Sequence, residues 1–386
     1  MRRIAAFLIV CCMLFMGCAA AQNVDDDDSW EVGEGECAPD RHYQARVLMR
    51  HMSLTDKIYQ MMFLTPEDLT GKEYTTSWPE DGVLKNSPAG GILLFGQNIV
   101  SEEQLEGLTA DILRDAGNAA FAPFIAVEEE GGAYSRVANK LGYPLQPSPA
   151  QLGQDGDTGA AYASGKAIGE YLNRFQINLN LAPDADVLSD PESELGSRSF
   201  GSQWKTVSQM AAAFANGLND SGVAACYKYF PGQGAASGSV YKGKARSKAS
   251  LTAMMRSDLM PFSDGIARDV PMIMVSHMEV AGLDDENPAS LSHVVMTELL
   301  RNYMGFEGVI VTDSLRGRSI RQNRSAGDLA VECILAGADM IMLPQVAEDA
   351  VRGIADAVAN GTISEERINE SVERILIMKI DMGLIK

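Results

Sequence analysis

The polar residues with the most chemical promise stand at the ends of short apolar runs. Glu128, Glu129 and Glu130 follow Phe124–Val127, and Asp184 and Asp186 follow Ile177–Leu181. Lys228 sits inside Ala224–Phe230, His277 follows Met272–Val275, and Asp313 follows Val309–Val311. One carboxylate at a strand end is often a structural cap or a local hydrogen-bond acceptor. Several that converge, joined by a Lys and an Arg, suit a polyhydroxylated ligand, because they match hydroxyl donors and acceptors and can stabilise an oxocarbenium-like transition state. Whether they converge depends on the elements that carry them.

Those elements alternate. From Leu54 onward, β-rich apolar runs are interleaved with helical patterns, the arrangement of βα units on a parallel sheet. Eight runs are predicted as strands: Ile58–Leu64, Gly91–Phe95, Phe124–Val127, Ile177–Leu181, Ala224–Phe230, Met272–Val275, Val309–Val311 and Met340–Leu343. Eight parallel strands close into a TIM-type (β/α)8 barrel, an α/β fold whose chemistry gathers at the C-terminal strand ends. Helices are expected after Ser101, over Glu102–Ala116, and after Ser364, over Glu365–Met382, where Ile368, Val372, Ile375 and Ile380 form an apolar stripe. No linker follows Leu343, so residues 39–386 are expected to form one barrel domain. A hydrophobic content of 46% with 22% charged residues is ordinary for a globular chain. The net charge of −20 shows no basic patch along the sequence and argues against nucleic acid as a partner. With no clustered His set and no Gly-rich phosphate loop before the last strand, the sequence calls for no metal and no cofactor.

Ahead of the barrel, Arg2, Arg3, the apolar run Ile4–Met16 and the small residues that follow read as an export signal over residues 1–17. The run is shorter than the roughly 20 apolar residues of a spanning helix. Phe15-Met16-Gly17-Cys18 resembles a loose bacterial lipobox, which implies cleavage before Cys18, lipidation of its thiol and anchoring to a membrane of the cell envelope. Cleavage after Ala21, which would give a soluble exported protein, is the alternative. Residues 18–38, with the run Asp25–Asp28, read as an acidic, solvated tether. Beyond Cys18 only Cys37, Cys226 and Cys333 remain, an odd number that gives no disulfide framework; Cys226 and Cys333 fall in apolar runs and read as buried, inert thiols.

Seven motifs in order give the chain a family resemblance. They are Gly90-Gly91-Ile92-Leu93-Leu94-Phe95, Ala126-Val127-Glu128-Glu129-Glu130-Gly131-Gly132, Leu181-Ala182-Pro183-Asp184-Ala185-Asp186-Val187 and Gly196-Ser197-Arg198-Ser199-Phe200-Gly201. Lys228-Tyr229-Phe230-Pro231-Gly232-Gln233-Gly234, Pro288-Ala289-Ser290-Leu291-Ser292 and Gly305-Phe306-Glu307-Gly308-Val309-Ile310-Val311-Thr312-Asp313 complete the set. Together they resemble the catalytic barrel of glycoside hydrolase family 3, in particular its single-domain β-N-acetylglucosaminidases, from about Leu54 to Leu384. The resemblance implies a retaining β-N-acetylhexosaminidase acting on terminal N-acetylglucosaminides, peptidoglycan-type fragments among them. It places Asp313 at the position of the nucleophile, which forms a glycosyl-enzyme intermediate. Lys228 and Arg198 match residues that hold sugar hydroxyls, and Glu128 stands where the family usually has an Asp with that task. Tyr229 and His277 join them as expected sugar contacts.

One motif departs from the pattern. The single-domain members read K-H-F-P-G-H-G-D-T followed shortly by D-S-H, whose last Asp and His form the proton-transfer dyad. Here Tyr229 and Gln233 replace the two motif histidines, Ala235 the first Asp, Ser239 the dyad Asp and Tyr241 the dyad His. The segment 235–250 contains no Asp, Glu or His, so no shift of the alignment restores the dyad. Tyr241 stands at the donor position with a reference pKa of about 10, poorly matched to a general acid at neutral pH. Glu129, Glu279 and Asp184 are the other candidates. Two readings follow: a retaining glycosidase with an atypical proton donor, or a catalytically degenerate barrel that binds a glycan or a partner at the envelope.

Overall fold

The computed structural model describes residues 40–385, apart from 74, 80–81, 118–120, 191–192 and 322. The export signal, Cys18, the acidic tether and Cys37 lie outside the described residues. Eight short parallel strands form one sheet: β1 Met62–Leu64, β2 Gly91–Leu93, β3 Phe124–Val127, β4 Leu179–Asn180, β5 Ala224–Phe230, β6 Met272–Val275, β7 Val309–Thr312 and β8 Ile341–Met342. Each pairs with its neighbour in chain order, β1 also pairs with β8, and a bridge between Val311 and Met340 joins β7 to β8. The sheet thereby closes into the expected (β/α)8 barrel.

The first strand starts later than its apolar run suggests. Leu54–Gln60 is a helix, because Ser53 and Asp56 form a capping box in which the Ser53 hydroxyl accepts the Asp56 N–H and the Asp56 carboxylate accepts the Ser53 N–H. The strand is left with three residues, all buried. The helices Glu102–Gly117 and Glu365–Asp381 fall as predicted, the second capped by Ser364 through the Arg367 N–H, with Ile368, Val372 and Ile375 buried. Cys226 and Cys333 are buried free thiols, and burial pushes the Cys226 thiol up to about 12. Among the described residues no helix is long and apolar enough to cross a membrane.

Aromatic rings fill the barrel toward the N-terminal ends of the strands. Phe63 and Phe124 stack with centroids 6.1 Å apart, and a Cβ on Gly91 would come within 2.1 Å of the Phe63 ring, so only glycine lets β2 pass there. Lys379, from the last helix, is fully buried beside these rings; its Nζ donates to Gln60 Oε1 at 2.7 Å and lies 5.1 Å from the centre of the Phe124 ring. Burial pulls this ammonium down to about 7 from the usual range near 10.5. Between those two values the unfolded chain holds a proton that the native state has shed, so stability should rise with pH from about 7 to about 10.5. Replacing the amine with a methionine of similar length should stabilise the protein at pH 7 by about 1–3 kcal/mol and flatten that rise. Urea unfolding of wild type and Lys379→Met at pH 6.5 and pH 9 checks this; an equal pH dependence in the two proteins would refute it.

Candidate functional site

At the C-terminal ends of β3, β4, β5 and β7 the chain places a buried charge cluster. After β3 the backbone continues into a small hairpin, Glu129–Gly131 against Tyr134–Ser135. Extended backbone alternates its side chains between two faces. Glu128 and Glu130 accordingly share the face toward the barrel axis, while Glu129 turns the other way. Lys228, on β5, reaches both inward carboxylates, with Nζ 2.6 Å from Glu130 and 3.2 Å from Glu128.

Arg198 comes from a turn, Gly196–Arg198, in the loop after β4. Its Nε and Nη2 grip Glu130 in a two-point contact at 2.8 and 2.6 Å, and Nη2 also donates to the Tyr229 hydroxyl at 2.6 Å. The Tyr134 and Tyr229 rings lie 4.8 and 5.2 Å from the guanidinium carbon. Arg136 completes the ring of charge by donating to Glu128 at 2.9 Å. Burial works against the Glu128 carboxylate, but Lys228, Arg198 and Arg136 outweigh it and hold the group down at about 2. The same cations hold Glu130 below its ordinary value against its burial. Lys228 is pushed up by Glu130 and Glu128 against its own desolvation. All of these groups are therefore ionised at neutral pH.

Beneath this layer Asp186 accepts the N–H groups of Tyr229 and Gln233 at 3.1 and 2.5 Å, fixing the turn out of β5. Asp184 accepts the Asp186 N–H at 2.9 Å through Oδ1, and its Oδ2 is buried without a hydrogen-bond partner. Burial raises both carboxyls, Asp186 to about 7 and Asp184 well above the usual range, where the Asp186 charge adds to the effect.

Asp313 follows β7 directly and is 4% exposed. Its Oδ1 accepts the Ser314 N–H at 2.7 Å, and its Oδ2 is buried without a hydrogen-bond partner. Both ring nitrogens of His277, expected as a sugar contact, are engaged within the protein. Its ring is held between the Ser290 hydroxyl at 2.6 Å and the Ser314 carbonyl at 2.9 Å, which sets the backbone next to Asp313. Tyr241 keeps 40% of its surface exposed, yet its hydroxyl lies within electrostatic reach of Asp313, Tyr229, Glu128 and Arg198. Desolvation of the hydroxyl, reinforced by the Asp313 charge, holds this phenol well above its usual range. The loop that bears it is fastened at Val240, whose N–H donates to Glu194 at 3.1 Å and whose carbonyl accepts the Ser319 hydroxyl.

The other carboxylates considered as donors have different tasks. Glu129 accepts the Val137 and Ala138 N–H groups at 2.8 and 2.9 Å and the Tyr171 hydroxyl at 2.7 Å, which caps the helix Arg136–Leu141 from outside the mouth. Glu279 pairs with Lys244 and Arg246 at 2.5 and 3.1 Å. Glu130 was read from sequence as a strand-end carboxylate without an assigned role, and Arg136 and Glu194 were not among the site residues. A signal existed for Glu130: period-two alternation from Glu128 puts it, and not Glu129, on the same face. Nothing in the sequence marks Glu194. Among the described residues no group of three or more His, Cys, Asp or Glu side chains could hold a metal ion.

A model of the glycosyl hydrolase family 3 N-terminal domain matches residues 53–378. Beta-hexosaminidase A of Pseudoalteromonas piscicida is 28% identical over 333 residues, which cover 79% of this chain but 56% of that protein, so the chain spans little more than half of this relative's length. Beta-hexosaminidase LpqI of Mycobacterium tuberculosis is 29% identical over 339 residues, covering 85% of this chain and 83% of its own. In three dimensions the chain resembles a glycoside hydrolase family 3 beta-N-acetylglucosaminidase from Paenibacillus sp. str. FPU-7, with a TM-score of 0.81 at 30% identity over 86% of this chain and 63% of that one.

Proposed function

Because the chain belongs to glycosyl hydrolase family 3, we propose that its barrel mouth cleaves terminal β-N-acetylglucosaminides, peptidoglycan-type fragments among them, by a retaining mechanism with an atypical proton donor. The observation that carries this reading is Asp313, ionisable, nearly buried and with one oxygen unpartnered, beside a cluster of Glu128, Glu130, Arg198 and Lys228 suited to sugar hydroxyls. The names of the beta-hexosaminidase relatives support the substrate class. In this reading Asp313 attacks the anomeric carbon, the glycosidic oxygen leaves, and water then releases the sugar from the Asp313 ester. Two displacements at one carbon return the starting configuration. Proton NMR of the first-formed product should therefore show the β anomer, and an α product would overturn the double displacement.

Tyr241 is the donor this reading has to accommodate. A phenol held so high is a weak general acid, since efficient proton transfer wants a pKa near the working pH. If its hydroxyl has nonetheless been recruited, Tyr241→Phe should slow cleavage of a natural disaccharide by about 10²-fold while barely changing an activated aryl substrate. An equal effect on both substrates would show that the ring only shapes the mouth. The engagement of Glu129 and Glu279 by other groups favours one alternative, a barrel that binds glycan without turnover. That reading would stand if neither substrate were cleaved while sugar binding remained and was weakened by Lys228→Ala.

The location is also part of the proposal. The apolar run Ile4–Met16 and the small residues around Cys18 support export and a lipid anchor at Cys18, which would tether the barrel to a membrane of the cell envelope through residues 18–38. Intact-mass measurement of the mature protein should give a lipidated N-terminal Cys18; an unmodified N-terminus at Gln22 would overturn it.

A further inference from the structure

The loops after β4 and β5 border a second cavity, of about 400 Å³, and no group of the charge cluster lines it. The loop after β4 contributes Ser189 and Asp190. Their N–H groups both donate to the Gly234 carbonyl, at 3.2 and 3.0 Å, which fixes this part of the wall to the turn after β5. The chain that follows contributes Ser247 and Lys248 from the strand Arg246–Ser250, then Ser257 and Asp258 beyond the helix Leu251–Met254. Three alanines, 235, 249 and 253, supply the apolar surface. Asp258 sits tightly on the turn, since a Cβ on Gly232 would come within 2.7 Å of its own Cβ.

One group in this cavity is poorly satisfied. Asp258 is 4% exposed, yet its carboxylate takes only its own backbone N–H and the Ser189 hydroxyl, the latter at 3.4 Å. Other buried carboxylates are better served: Asp115 accepts three donors within 3.0 Å, and Asp339 is held by Arg301, Arg374, Ser371 and the Ile310 N–H. A desolvated carboxylate short of partners is costly to ionise, and burial raises the Asp258 carboxyl to about 6. A cation in the cavity would answer that charge. Lys248, exposed and in no salt bridge among the described residues, gives the same wall a positive group. A simple cation would be opposed by Lys248 and a simple anion by Asp190 and Asp258. A small molecule carrying both signs is opposed by neither.

We propose that this cavity binds a small α-amino acid, with its ammonium on Asp258 and Asp190, its carboxylate on Lys248 and its side chain against the alanine methyls. The site goes beyond the glycosidase reading and does not depend on it. The test uses the full chain at pH 7.5 and calorimetric affinities for three kinds of probe: both enantiomers of alanine, ethylamine, which keeps only the ammonium, and propionate, which keeps only the carboxylate.

At least one enantiomer of alanine should bind about tenfold tighter than either fragment, because each fragment forgoes one charged contact. Lys248→Ala should remove the advantage over ethylamine, and Asp258→Asn should weaken binding of alanine by about tenfold or more. Asp258 is buried, so its variant is first checked for a native circular dichroism spectrum. If it does not fold, the other variants decide: Lys248 and Ala253 are exposed, and Ala253→Trp fills the cavity while leaving every charge in place, so it should abolish binding. Ethylamine binding as tightly as alanine would overturn the inference, since Lys248 would then hold nothing. Alanine binding that survives both Lys248→Ala and Ala253→Trp would also overturn it, as would no binding of either enantiomer up to about 50 mM.

Discussion

Wild-type protein should release an activated aryl group from N-acetyl-β-glucosaminide at least about 10²-fold faster than it cleaves the corresponding natural disaccharide, and Asp313→Asn should abolish both activities. Forming the glycosyl-enzyme requires attack by a carboxylate and departure of the glycosidic oxygen. In the proposed mechanism the first requirement falls to Asp313, whose Oδ2 is committed to no hydrogen bond while Oδ1 is steadied by the Ser314 N–H at 2.7 Å. The second is met poorly. Glu129 is engaged as a helix cap, Glu279 by Lys244 and Arg246, and the Tyr241 phenol is held well above its usual range. A positioned general acid is worth roughly 10²- to 10⁴-fold, and a nitrophenolate leaves without one. The gap between substrates therefore measures the missing acid. Equal turnover of both would mean that an efficient donor exists, and aryl cleavage surviving Asp313→Asn would remove Asp313 from the chemistry.

Glu130→Ala should cost about 3–5 kcal/mol of stability and eliminate sugar binding, the largest structural effect expected of any single change in the mouth. Glu130 is 1% exposed at its side chain and forms ion pairs with both Arg198 and Lys228, themselves 9% and 0% exposed. Removing it takes from Arg198 its ion-pair partner and leaves Lys228 paired with Glu128, and breaking a buried pair from one side is far more costly than never having built it. Denaturant midpoints of the variant against wild type measure the loss. Glu130→Gln should recover the volume but little of the energy. A change under about 1 kcal/mol would show that water reaches the cluster and screens it. The same charges set the acid limit: Glu128 titrates at about 2 in the folded state against a usual value of 4.5, so its contribution is complete above pH 4.5 and is lost as the pH falls toward 2.

The barrel was legible because its strands differ so plainly from their surroundings. Phe124–Val127 and Met272–Val275 are short, wholly buried runs between polar segments, and their bounds are the same in sequence and structure. Ile58–Gln60 misled because an apolar run cannot tell a buried strand from a buried helix, and the Ser53–Asp56 capping box settles the matter in favour of helix. At the site, strand ends pointed to Glu128, Lys228 and Asp313, which the fold does gather at one end of the barrel. The motif gave Glu130 no role, although alternation from Glu128 puts it on the same face. His277 was expected as a sugar contact, and its two ring nitrogens join the loops after β6 and β7. The clamp on Val240 had no signature, since Glu194 and Ser319 come from loops that only the closed barrel brings together.

That clamp bears on how a ligand arrives. With Val240 tied on one side to the loop after β4 and on the other to the loop after β7, the loop bearing Tyr241 spans two neighbours and has no free end to swing. Under the glycosidase reading, an entering sugar would meet a mouth shaped on this side before it arrives. Capture of a terminal sugar would then depend, in that reading, on a correctly oriented approach more than on a swing of this loop.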